Sequence, residues 1–165
     1  MTDEIQIKHA IDVDPLSLIW PPDDDLYKGD RFMELAIRGN RVIGWWTYSV
    51  GRKRGRTIID SVSTNIQQRF RRKGIARKLW LSGISYWAPD RITSTIGSWQ
   101  GCSFLASMQV LLAVEHPEIF LSISFSDYFE SYHCELAHAA LARVKQQAFE
   151  SQPKLKTVPL KQLKP

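Results

Sequence analysis

Apolar and polar residues alternate from Glu4 to Ala10, with Ile5 and Ile7 between polar neighbours, and this period of two predicts a short first strand. From Asp12 to Asp30 the pattern is broken by Pro15, Pro21 and Pro22 and by the solvated run Asp23, Asp24 and Asp25. Such a stretch permits at most a short helix around Pro15 to Trp20, followed by a loop. Three strand-like segments come next, Phe32 to Ile37, Arg41 to Val50 and Thr57 to Ile66. Gly39-Asn40 separates the first two and Gly51 to Gly55 the second two, each with glycine where a positive φ is needed, so the three predict an antiparallel meander. A helical period then runs from about Lys73 to Trp87, with Ile75, Leu79, Trp80 and Ile84 on one stripe and Pro89 as its stop. A strand over Arg91 to Ile96, a loop over Gly97 to Gly101 and a helix over Cys102 to Glu115 follow, the helix turning Phe104, Met108, Leu111 and Leu112 inward. Ile119 to Phe125 reads as a strand, and Phe129 to about Glu150 as the longest helix, with Leu136, Ala140, Val144 and Ala148 on one stripe. The order predicts an α/β (α+β) chain.

Composition narrows this further. With 165 residues, 44% hydrophobic and 24% charged, the chain has enough apolar surface for one packed core, expected over residues 1–150. From Ser151 onward Pro153, Pro159 and Pro165 alternate with Lys154, Lys156, Lys161 and Lys164, the composition of an extended basic tail. The strongly apolar run Val110 to Val114 is far shorter than the roughly 20 residues of a membrane span. Asp3 and Glu4 stand where an export signal would be basic, so a cytoplasmic location is expected. Cys102 and Cys134 suit free thiols in a reducing compartment. Cys134 and His138 have the i, i+4 spacing of a metal pair without an evident third ligand, so no metal site is expected.

Charge changes the picture more. Of the 22 lysines and arginines, ten fall between Arg52 and Lys78, against one acid, Asp60. Such a cluster attracts phosphates. Its second half, Arg71-Arg72-Lys73-Gly74-Ile75-Ala76-Arg77, lies between the predicted strand ending at Ile66 and the predicted helix. A helix start presents N–H groups without intrahelical acceptors and the positive end of the helix dipole. Small residues at Gly74 and Ala76 would let a pyrophosphate approach the backbone. Neither the Lys-Ser/Thr phosphate loop nor the three-glycine dinucleotide fingerprint is present.

Here the chain resembles the GNAT superfamily of N-acetyltransferases, whose cofactor motif Gln/Arg-x-x-Gly-x-Gly/Ala is matched by Arg71-x-x-Gly74-x-Ala76, with Ile66 and Phe70 also in place. The similarity extends over roughly Phe32 to Phe125. It implies a mixed, mostly antiparallel central sheet flanked by helices and splayed after its fourth strand, here with an atypical C-terminal helix. It implies acetyl-coenzyme A as acyl donor, its pantetheine on Thr64, Asn65 and Ile66 and its pyrophosphate on Arg71, Arg72, Lys73, Gly74, Ile75, Ala76 and Arg77. An amine would attack the thioester directly. Asp60, near the position of the catalytic glutamate of histone-type members, is the candidate base, its competing roles being an ion pair with Arg56 or an anchor for the substrate amine. The family's Asn-x-x-Ala…Tyr…Gly-Phe region is missing, which leaves Ser98, Cys102, Tyr128 and Tyr132 as polar candidates for protonating the thiolate.

The acceptor stays open: a small-molecule or protein amine, or a nucleic acid held by Arg52 to Arg56 and the C-terminal lysines. Ser103-Phe-Leu, Pro117 and Ser124-Phe-Ser-Asp127 loosely resemble phage-type enzymes of this superfold that modify DNA bases, a reading that would bring Asp127 and His133 into the site. Acylation of tRNA would also fit a basic acyltransferase, and a degenerate domain of this kind would serve as a basic binding module. The resemblance also admits a homodimer.

Overall fold

The computed structural model describes residues 4–11 and 31–127 together with helical positions 135, 138–139, 141–143, 146 and 150. These residues fall in two compact units that divide after Pro89. The short helix expected around Pro15 to Trp20, the stripe Leu136, Ala140, Val144 and Ala148, and the tail from Ser151 lie outside the described residues.

The first unit is an antiparallel meander of four strands, β1 (Ile5–Ile11), β2 (Arg31–Arg38), β3 (Arg41–Lys53) and β4 (Arg56–Ile66), with helix α1 (Ile75–Trp87) packed on one face. Gly39 (φ +60°) and Asn40 close the first hairpin as expected. The second hairpin is tighter than the sequence suggested. Strand pairing continues through Lys53↔Arg56, and Arg54 (φ +51°) and Gly55 (φ +77°) alone make the turn. Positive φ at both central residues gives the turn whose twist matches that of the flanking strands, so the ladder runs to its very end.

The second unit is a parallel pair, β5 (Arg91–Ile96) and β6 (Phe120–Phe125), joined by α2 (Trp99–Glu115). Helix α2 starts three residues before the expected Cys102 because extended Ser98 caps it, its Oγ accepting from Gly101 N at 3.1 Å. Met108, Leu111 and Leu112 are buried as expected, and Phe104 is half-buried. Gln109, also buried, donates to Leu121 O at 3.0 Å and so ties the helix to β6. Antiparallel pairs in one unit and a parallel pair in the other, each with its helix, make up the mixed, mostly antiparallel α+β architecture that the resemblance implied. No helix among the described residues is long and apolar enough to cross a membrane.

Helix α1 is fixed to its strands by polar contacts set into an aromatic core. Ile75, Leu79, Trp80 and Ile84 are buried, as the stripe predicted. Trp80 stacks on Trp46 with centroids 4.7 Å apart, and Trp46 packs on Tyr48 at 4.2 Å. Each indole finds an acceptor on β4: Trp80 Nε1 donates to Thr64 Oγ1 and Trp46 Nε1 to Ser61 Oγ, both at 2.9 Å. At the centre lies Glu34, fully buried. Its carboxylate accepts from His9 Nδ1 at 2.5 Å, Tyr48 Oη at 2.8 Å and Ser82 Oγ at 2.7 Å, and Tyr48 Oη in turn accepts from Trp87 Nε1 at 3.1 Å. A carboxylate without partners would cost several kcal/mol to bury, roughly the scale that three well-placed donors offset. Burial, reinforced by the Glu34 charge, holds the Tyr48 phenol well above the usual tyrosine range, so it stays a donor.

Two outcomes follow. Gly83 lies so close to β3 that an added Cβ would meet Trp46 Cζ3 at 2.7 Å and Tyr48 Oη at 3.0 Å. Gly83→Ala should therefore destabilise the protein by about 1–3 kcal/mol in a thermal melt, although alanine is the better helix former. Because Tyr48 is held protonated in the folded state and loses its proton near pH 10 in the unfolded chain, its contribution is complete below about pH 10 and is lost as pH rises above it. Tyr48→Phe should be less stable at pH 8 yet lose less stability than wild type between pH 9 and 11; parallel losses would contradict this.

Candidate functional site

The loop between β4 and α1 gathers the residues singled out for phosphate binding. It is anchored at its root by Gln67, whose N–H donates to Ile43 O at 2.9 Å and whose side-chain amide donates to Val42 O at 2.7 Å. A single 3-10 turn, Gln68–Phe70, then buries Phe70. Around that ring stand three cations, Arg69 at 4.8 Å and Arg38 and Lys73 at 5.6 Å from its centroid. One apolar side chain thereby collects positive charge at the mouth of the loop. Arg71 Nε donates back to Ile66 O at 2.9 Å, which closes the loop on the end of β4.

Arg72 (φ +63°) and Gly74 (φ +72°) are both left-handed, and Gly74 is the N-cap of α1. The first closing helical bond is Lys78 N to Gly74 O at 3.1 Å. The N–H groups of Ile75 and Ala76 precede it, and Gly74 offers no side chain to cap them. A left-handed residue followed by a right-handed one is a conformation that directs successive N–H groups into one concavity. A Cβ built on Gly74 would meet nothing within 4 Å, so the space before the helix is open. Arg71, Arg72, Lys73, Arg77 and Lys78 are all exposed around it. These residues suit a pyrophosphate: backbone donors at a helix start, room for close approach, and exposed cations at the rim.

Strand β4 carries a feature that the sequence did not disclose. Thr47 pairs with Ser63 and Tyr48 with Ser61, so Val62 is an extra residue in a β-bulge. The bulge rephases the strand. Ser61 and Thr64 both turn toward α1, where the two tryptophans bind them, while Asp60, Val62, Ser63 and Asn65 are exposed. Thr64 therefore has its side chain engaged with Trp80. Asp60, opposite Ser49, lies on the face away from the helix.

The remaining predicted residues are placed differently. Ser98 belongs to the second unit and caps α2. Cys102 is a buried thiol outside any disulfide. Tyr128, Tyr132, His133 and Cys134 lie outside the described residues. His138 is exposed and meets Phe125 edge-on at 4.5 Å. Among the described residues no group of three His, Cys, Asp or Glu side chains could hold a metal. Sequence reasoning missed Gln67 as the anchor and Glu34, His9, Ser82 and Trp87 as the polar support of α1. Glu34 did leave a signal: it shares the period-two face of Phe32 and Ala36, an acid on an apolar side.

No family model matches the chain, and no curated protein matches it. Solved structures similar to it include an aminoglycoside acetyltransferase from an uncultured soil metagenomic sample, in complex with sisomicin. That likeness has 11% identity and a TM-score of 0.45, over 82% of this chain and 86% of that one. The same enzyme in complex with trehalose gives the same values. NAA60 of Arabidopsis thaliana, in complex with a bisubstrate analogue, is similar over 49% of this chain and 66% of its own, with 18% identity and a TM-score of 0.35.

Proposed function

We propose that this chain is an acyl-coenzyme A-dependent N-acyltransferase, in its simplest form an N-acetyltransferase using acetyl-coenzyme A. The observation that carries this is the open space at left-handed Gly74, at the start of a helix pinned to its sheet and rimmed by exposed cations. Bound acyl-coenzyme A would supply an activated acyl thioester. The backbone N–H groups from Arg72 to Arg77 would hold its pyrophosphate, with charge from Arg71 and Lys73, and the backbone of Thr64, Asn65 and Ile66 would guide its pantetheine arm. Holding donor and acceptor together converts a bimolecular step into an effectively unimolecular one.

Asp60 is the base in this scheme, taking the proton of the amine as its lone pair attacks the thioester carbonyl. Tyr128, Tyr132 and Ser98 are the candidate donors to the departing thiolate. A capping serine accepts with a lone pair and keeps its O–H, so the cap on α2 leaves Ser98 able to donate.

Isothermal titration with acetyl-coenzyme A tests the cofactor site. Wild type should bind with micromolar Kd. Gly74→Glu keeps the fold, because its side chain enters open space and left-handed strain costs on the order of 1 kcal/mol, yet it places an anion in the cradle. Its affinity should fall at least 100-fold, and that of Gly74→Ala by much less. Absence of binding by folded wild type, or equal binding by Gly74→Glu, would contradict the proposal.

A further inference from the structure

Among the described residues, the β3–β4 hairpin reaches beyond the strand beside it. The last pair that β2 makes with β3 is Arg31↔Ser49, whereas β3 and β4 continue to pair through Val50↔Ile59, Gly51↔Ile58, Arg52↔Thr57 and Lys53↔Arg56. Ile59 is fully buried, so the outer three pairs, at about 3.3 Å per residue, make an arm roughly 10 Å long before the turn. Arg52, Lys53, Arg54 and Arg56 at its end are all exposed, and the one acid on the arm, Asp60, sits at its base opposite Ser49.

This tip is built against its own stability. Lys53 and Arg56 are directly paired across the strands, and like charges in that position destabilise a ladder. Arg54 occupies a left-handed conformation at φ +51°, which costs a side-chain-bearing residue energy that glycine avoids. Two local penalties at one tip, with four cations and no acid, are relieved together by a polyanion.

We infer that the ribbon is a docking arm for double-stranded DNA. The major groove, about 12 Å wide and 8.5 Å deep, admits a two-stranded β-ribbon, and an arm of roughly 10 Å can enter it with its cations against the bounding phosphates. The deep, narrow major groove of an RNA duplex excludes such an arm. The loop before α1 is a separate basic feature, and the inference is independent of acyl transfer.

The test is fluorescence anisotropy with a labelled 20-base-pair DNA duplex, and with one of its strands alone, across 50–200 mM salt. Two variants each lose four charges: Arg52, Lys53, Arg54 and Arg56 to Ala in the arm, and Arg72, Lys73, Arg77 and Lys78 to Ala in the loop. Circular dichroism and thermal melts establish that each is folded, and Arg52→Ala with Arg56→Ala replaces the arm variant should it melt early. Four phosphate contacts contribute about −3.6 to the slope of log affinity against log salt. The arm variant should lose more than 10-fold in duplex affinity at 50 mM salt and flatten that slope by about 3. The loop variant should lose no more than a few-fold. Losses equal in the two variants, a loss confined to the loop variant, single-strand binding as tight as duplex binding, or no binding by wild type would each overturn the inference.

Discussion

A carboxylate shut away from water beneath α1 is the constraint around which the first unit is organised. Glu34 cannot be buried without donors, and those it has come from three elements: His9 on β1, Tyr48 on β3 and Ser82 on α1. Trp87 extends the chain of donors to the end of the helix through the Tyr48 hydroxyl, and Trp80 adds a separate tie to β4 through Thr64. Apolar packing alone would let a helix slide or rotate on its sheet at modest cost. Directional bonds to a group that cannot be left unpartnered remove that freedom. The start of the helix, and with it the loop that precedes Gly74, is thereby held in one place relative to β4.

That rigidity matters because the loop itself has little to hold it. Phe70 is its one buried side chain, Gln67 fixes its root, and Arg71 closes it onto Ile66. Apart from Gln68, the remaining residues are cations and Gly74, all exposed. Two left-handed residues within three positions, Arg72 and Gly74, are accepted there, and backbone strain concentrates at such places when the surrounding structure fixes both ends.

Much of this was legible in the sequence, for identifiable reasons. The meander, the stripe of α1 and the strand over Arg91 to Ile96 follow from strong periodicity, and the loop motif from its spacing between strand and helix. What escaped were features in which one residue's role depends on a partner far along the chain. The bulge at Val62 exists only in the register between β3 and β4, and the engagement of Thr64 by Trp80 depends on that bulge. The length of the second hairpin was missed because Arg54 takes a conformation usually left to glycine. The early start of α2 turned on a serine that the sequence offered as a proton donor and the structure uses as a cap.

We propose the start of α1, held by the buried network, as a pyrophosphate site. Its most direct test is an amide-resolved NMR titration of the ¹⁵N-labelled protein with 3′-phospho-ADP, the pyrophosphate-bearing half of coenzyme A. The largest shifts are predicted at Gly74, Ile75 and Ala76, with smaller ones at Arg72 and Lys73 and little change at Arg52 to Arg56. Shifts centred on the β3–β4 tip, or absent from Gly74 to Ala76 at saturating ligand, would contradict the account.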